Sequence, residues 1–185
     1  MDNTNPYDTS DLGSNMVLSF RYIQQIFKET AQLMRKLDSL MGKDWTPTYG
    51  NRTTRDVTSH IEDPEYWLVQ ASFRIYDSAH EPSIKKGITV VYWSEDTEEP
   101  ILIAGKLDYV LNPTTGRPNN HYHWDLWDAW YYIEEEKTIS GTIYHREYQG
   151  ENDYLKEAYT LAIPLVTIQS EDDIRTRIYD RLITL

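Results

Sequence analysis

Three hydrophobic patterns follow one another along this chain, and their order limits the folds that it can adopt. A long segment with helical periodicity comes first, segments that alternate with a period of two follow, and a short helical pattern ends the chain. Helical and alternating patterns in separate blocks are typical of the α+β class. We therefore expect a mostly antiparallel sheet of about five or six strands, with a long N-terminal helix and a short C-terminal helix packed on one face.

The first pattern predicts a helix from Ser14 to Met41. Ser14 is a suitable N-cap, and Gly42 can adopt the left-handed conformation that ends helices. The apolar residues fill three neighbouring heptad columns, which form a stripe wide enough to face a protein core. A simple coiled coil would need only two columns, so we favour core packing and keep a homodimer built by this helix as the alternative. The columns contain Met16, Ile23 and Leu37; Ile26, Leu33 and Leu40; and Phe20, Phe27, Met34 and Met41.

The alternating segments predict strands that are joined in part as hairpins. The alternation is clearest in EYWLVQASFRIYD, which begins at Glu65, and similar segments span 84–93, 101–110, 138–148 and 157–168. The connections SEDTEEP and QGEND are too short for a parallel crossover, so each should join an antiparallel pair. Pro164 has no N–H to donate, which predicts that the last strand lies at an edge or is bulged there. Ser170 and Asp173 then resemble a helix-capping pair.

Length and charge restrict the domain organisation and the partners. The 185 residues, 39% of them hydrophobic, predict a flexible acidic tail over 1–13 and a single α+β domain over 14–185. A formal charge of −12 disfavours direct binding to nucleic acid or to an anionic membrane. The chain has no cysteine, which excludes disulfides and thiol chemistry. The polar, acidic N-terminus does not resemble a signal peptide, and we expect a cytoplasmic protein.

The aromatic content is the main indication of function. Six tryptophans, 15 tyrosines and three phenylalanines exceed what one small core usually requires. We therefore predict a non-enzymatic domain, without a cofactor, that binds a small-molecule ligand or a protein partner through an aromatic sheet face or groove. Core packing of the same residues is the alternative. The predicted binding residues are Trp67, Trp93, Trp124, Trp127, Trp130 and Tyr131.

A second hypothesis is a metal-dependent enzyme with a site around residues 121–147. If the segment 111–136 is extended, His121, His123 and Asp125 share one face, and a hairpin could add His145. Such a set could hold a divalent transition metal, with Glu147 as the base. The tryptophan spacing of three instead suits a helix, which would separate the two histidines. The same region contains the pair Asp125 and Asp128, which makes a carboxylate hydrolase conceivable.

Two charged segments suggest further alternatives. The acidic residues could imitate nucleic acid and occupy the basic groove of a partner protein. In the loop between the first helix and the first strand, Arg52 and Arg55 could hold an anionic group, although exposed arginines more often balance an acidic surface. The acidic residues concerned are Glu95, Asp96, Glu98, Glu99 and the run 134–136.

Overall fold

The computed structural model describes residues 11–57, 60–62, 64–118, 123–134, 136–150 and 154–185. The helices are α1 (Leu12–Met41), α2 (Asp125–Tyr131) and a C-terminal helix of three consecutive segments, Glu171–Asp173, Ile174–Tyr179 and Asp180–Thr184, of which the middle one is π-helical. The strands are β1 (Trp45–Pro47), β2 (Thr54–Asp56), β3 (Ala71–Ser78), β4 (Ile84–Val91), β5 (Ile101–Tyr109), β6 (Tyr144–Glu147) and β7 (Leu155–Pro164). Two short 3-10 helices span Pro64–Trp67 and Leu165–Thr167.

The strands form one seven-stranded sheet, and every pairing between these named strands is antiparallel. The order is β1-β3-β4-β5-β7-β6, and β2 pairs with β3 beside β1. The predicted α+β class and both predicted hairpins are confirmed. The last strand, β7, lies between β5 and β6 and is not an edge strand over its whole length, but β6 pairs only with residues 157–160, so Pro164 has a strand neighbour only on the β5 side. Pro164 is tolerated there because it is the last residue of the strand, where little of the ladder is lost.

Side chains alternate between two buried faces of this sheet. On β3, Phe73 and Ile75 point to the face covered by α2, whereas Arg74 and Tyr76 point to the face covered by α1. We call these the α2 face and the α1 face. The period of two predicted for this strand is therefore confirmed from Ala71 onward, and each face has a hydrophobic core of its own.

The α1 face holds both the second half of α1 and the C-terminal helix, as predicted. Leu37 and Ile178 are fully buried in a core with sheet residues such as Leu102. Polar contacts add to this packing. Asp38 of α1 accepts two hydrogen bonds from the Arg74 guanidinium, at 2.9 and 2.6 Å. The Tyr76 hydroxyl donates to the same carboxylate at 2.8 Å, so a partly buried network anchors α1 to β3.

The first half of α1 departs from the prediction of a helix packed along its whole length. Residues 12–22 are exposed throughout, and Met16, Phe20 and Ile26 are exposed although they belong to the predicted core stripe. The helix also begins at Leu12, with Asp11 rather than Ser14 in the capping position. The predicted C-terminal end is confirmed, because Gly42 follows the helix with a φ of 70°.

Two predicted strands are shorter than expected. The segment that begins at Glu65 becomes a strand only at Ala71, because Pro64 starts a 3-10 helix that continues to Trp67. The strand predicted for 138–148 is reduced to β6. At the other end of the chain, the predicted cap is present: the Ser170 hydroxyl accepts a hydrogen bond from the Asp173 N–H at 3.1 Å. No helix among the described residues is both long enough and apolar enough to cross a bilayer.

Candidate functional site

The predicted aromatic residues of the segment 123–131 belong to α2 or to the turn before it. Trp127 is at the centre, with its ring 6.0 Å from that of Trp124, 5.8 Å from that of Trp130 and 5.3 Å from that of Tyr131. The spacing of three places these rings along one side of the helix, as the helical alternative predicted. Trp130 is buried in the core of the α2 face, so its ring serves packing. Trp127 and Tyr131 are only half-buried.

The β4–β5 connection links α2 to the other predicted tryptophans. The Trp93 ring lies 5.6 Å from that of Tyr66, next to Trp67. On the other side, the Tyr131 hydroxyl donates a 3.0 Å hydrogen bond to Asp96. Trp67 is held by its indole N–H, which donates to the His60 carbonyl at 2.7 Å, yet 52% of the residue is exposed. We call the half-buried and exposed rings at this end of the domain the aromatic surface: Tyr66, Trp67, Trp93, Trp127, Tyr131 and Tyr132.

Acidic residues surround the aromatic surface on two sides. The β4–β5 connection exposes four carboxylates, and two more follow α2. Lys137 is turned inward, since its ammonium group donates to the Tyr131 carbonyl and lies 4.8 Å from the Tyr131 ring centre. The border of the surface is therefore strongly negative. Its exposed acidic residues are Glu95, Asp96, Glu98, Glu99, Glu134 and Glu136, while Glu135 lies outside the described residues.

A buried carboxylate lies beneath this surface. Asp125, the first residue of α2, is 1% exposed and accepts hydrogen bonds of 2.6 Å from the hydroxyls of Tyr109 and Tyr154. Burial, followed by the charge of Asp125 and the hydrogen bond to it, raises the pKa of both tyrosines, so they remain neutral donors. The pKa of Asp128 is also raised, first by burial and then by repulsion from Asp125. This network fixes α2 to the last residue of β5 and to the residue before β7. Sequence reasoning missed it.

The described members of the predicted metal set do not converge. His123 packs its ring 4.8 Å from that of Phe73, and Asp125 binds the two tyrosines on the α2 face. His145 stacks on Tyr159 on the opposite face, at 4.2 Å between ring centres, and lies 3.1 Å from Glu157. The hairpin that the metal hypothesis would need is absent from the described residues, because β6 pairs with β7 and residues 125–131 are helical.

The remaining members add no ligand set. Glu147 is exposed at the outer strand, opposite Glu157. His121 lies outside the described residues. Within the part of the chain that is described, no cluster of three or more His, Asp and Glu side chains is arranged to hold a metal ion.

Two open cavities flank α1 where it leaves the sheet, both at Thr30. One of about 450 Å³ is lined by Phe27 and Tyr92 and by two arginines, Arg52 and Arg55, of which Arg55 lies in β2 and not in a loop as predicted. The other, of about 810 Å³, lies between α1 and the chain around Val166. Both are on the α1 face, away from the aromatic surface.

No protein-family model, curated protein sequence or solved structure matches this chain.

Proposed function

We propose that this protein is a non-enzymatic binding domain whose aromatic surface recognises a protein partner. The observation that supports the proposal most directly is the exposure of Trp67 and Tyr132, at 52% and 60%, at the same end of the domain as the half-buried rings of Trp127 and Tyr131. Tryptophan and tyrosine are enriched at protein interfaces because they cover a large apolar area and keep a polar group for hydrogen bonds. Exposed rings of this kind are typical of the residues that dominate binding energy.

The border of the surface indicates the chemistry of the partner. Exposed carboxylates on both sides favour a segment with apolar or aromatic side chains at its centre and lysine or arginine at its ends. A small-molecule ligand is less favoured, because the two cavities described above are on the α1 face. Direct binding to nucleic acid is opposed by the charge of −12.

A selection from a phage-displayed library of random peptides tests this proposal. The bait is the full chain, and the counter-selection uses the variant Trp67→Ala/Tyr132→Ala. A matched control, Tyr22→Ala/Val166→Ala, removes the same kind of exposed side chains at a distance from the aromatic surface. Circular dichroism and urea midpoints verify that all three proteins are folded.

We expect enriched peptides that combine aromatic and basic residues. Their affinity should fall at least ~10-fold in the Trp67→Ala/Tyr132→Ala variant and stay unchanged in the control. Equal binding to all three proteins, or no enrichment, would refute the proposal. Binding that disappears at high salt but keeps the same affinity in the Trp67→Ala/Tyr132→Ala variant would favour imitation of nucleic acid by the acidic residues instead.

We also propose that the protein forms a homodimer. The observation behind this second proposal is the exposed apolar half of α1, which lies apart from the aromatic surface.

A further inference from the structure

Residues 12–29 of α1 form a helical segment with little of the domain to pack against. Phe20 and Tyr22 are 57% and 64% exposed, and only Ile23 and Phe27 are half-buried. A helix with a wide apolar stripe normally buries that stripe against other protein surface. The exposed apolar residues of the segment are Leu12, Met16, Val17, Leu18, Phe20, Tyr22 and Ile26.

The stripe that packs on the sheet continues into this segment without a break. Positions 30, 34, 37 and 41 of α1 are buried on the α1 face. Counting back with the same alternating steps of four and three gives Phe27, Ile23, Phe20 and Met16. These residues therefore lie on the same side of the helix as the buried positions. The contact face of α1 is longer than the sheet that covers it.

The charge of the segment favours association with a second copy of the same chain. Its only charged residues are Arg21, Lys28 and Glu29, whereas the chain as a whole has a charge of −12. Two acidic molecules repel each other least where such a weakly charged segment forms the contact.

The contact side of the segment supplies part of the area that an interface between two chains needs. At roughly 150–250 Å² for a large side chain, the exposed fractions of the four apolar residues on or beside the contact side, Leu12, Met16, Phe20 and Ile26, correspond to about 400 Å² per chain. A standard stable interface buries ~800 Å² per partner. The contact side of the segment thus exposes about half of that area, and half-buried Ile23 adds to it.

We propose that α1 pairs antiparallel with α1 of a second copy, around a two-fold axis near Phe20 and Ile23. This inference deepens the proposed homodimer. The exposed segment is about 27 Å long, several times the ~8 Å Debye length at physiological salt. An antiparallel pair places the two acidic sheets at opposite ends of this length, whereas a parallel pair would place them side by side.

The same arrangement would use the two cavities beside α1. With the axis near Phe20 and Ile23, the start of one helix lies near Thr30 of the other. Thr30 lines both cavities. Ile26 and Val166 line one of them with it, and Phe27 lines the other. The partner's first helical turn would then cover apolar surface that each chain leaves open.

Sedimentation equilibrium of the full chain tests the pairing. We expect a dimer for the wild type, and a dissociation constant raised at least ~30-fold by Phe20→Glu. The matched control Tyr22→Glu makes the same kind of change on the opposite side of the helix and should shift the constant less than ~3-fold. A wild type that stays monomeric at ~100 µM, or equal effects of the two substitutions, would overturn the inference. A monomer that cosediments with phosphatidylcholine vesicles would also overturn it and assign the segment to a lipid surface.

A spin label at position 13 tests the orientation. The chain has no cysteine, and a Cβ added at Gly13 meets no atom within 4 Å, so Gly13→Cys gives a single labelled site. Antiparallel helices should place the two labels about 25 Å apart, and parallel helices about 10 Å apart. The shorter distance would overturn the antiparallel arrangement while leaving the homodimer intact. Peptide binding by the Phe20→Glu variant should persist, which separates this test from that of the aromatic surface.

Discussion

The hydroxyl of Tyr109 donates a 2.6 Å hydrogen bond to the carboxylate of Asp125, and both residues are almost completely buried. Tyr109 ends β5 and Asp125 begins α2, so this contact joins the helix of the aromatic surface to the centre of the sheet. A second donor, the Tyr154 hydroxyl, reaches the other oxygen of the same carboxylate. Two hydroxyl donors make the burial of this acid energetically tolerable.

Removing one donor should destabilise the protein strongly. We expect Tyr109→Phe to lower the free energy of unfolding by about 1.5–3 kcal/mol, because a buried carboxylate loses a charge-assisted hydrogen bond. Urea denaturation measures the change. The control Tyr132→Phe removes a hydroxyl from a residue that is 60% exposed and should cost less than ~0.5 kcal/mol. Similar losses in the two variants would show that the hydrogen bond to Asp125 contributes little.

Asp128 should make the stability depend on pH. Burial and the charge of Asp125 raise its pKa above 3.8, with Arg146 acting in the opposite direction. The folded protein therefore holds this proton more tightly than the unfolded chain, and stability falls as pH rises above about 4. Asp128→Asn should remove this pH-dependent loss of stability. The free energy of unfolding of the variant, relative to that of the wild type, should therefore increase between pH 4 and pH 7. The increase should be less than ~1 kcal/mol, because Asp128 is half-exposed.

Urea denaturation at several pH values measures this difference. Glu134→Gln is the control, because Glu134 is an exposed acid just beyond α2. A relative stability of Asp128→Asn that is flat with pH, or that falls as pH rises, would contradict the prediction.

Gly105 allows α2 to approach the sheet closely. A Cβ at this position would overlap the Tyr159 carbonyl oxygen and lie 3.0 Å from Cδ2 of Leu126 in α2. Because backbone cannot give way easily, Gly105→Ala should cost about 3 kcal/mol and weaken the packing of α2. Gly13→Ala is the matched control, since its Cβ meets no atom and a helical alanine gains roughly 0.5–1 kcal/mol. Thermal unfolding that is unchanged by Gly105→Ala would contradict this description of the contact.

The elements that sequence reasoning predicted well are those with long, uninterrupted periodicity. The helix was placed to within two residues of both its ends, because its stripe repeats over many turns and Gly42 ends it. Strands β4 and β5 were placed to within two residues for a similar reason. The segment before Ala71 was misassigned, because the alternation continues through Trp67 although Pro64 starts a 3-10 helix.

The site was predicted less completely, since its contacts join distant parts of the chain. The helical spacing of the tryptophans was recognised as one of two alternatives, and it matches α2. The burial of Asp125 was not foreseen. It depends on tyrosines 16 and 29 residues away in sequence, and only the strand order brings them together. Likewise, nothing in the helical pattern indicates that the sheet ends before the stripe of α1 does.

The two separate cores of this sheet have an evolutionary consequence. Substitutions around α2 change the packing of the α2 face, and substitutions around α1 change the packing of the α1 face. The backbone of the sheet separates the two sets of side chains. Selection can therefore reshape the aromatic surface in one lineage while the helix on the other side keeps its pattern, and the reverse can occur in another.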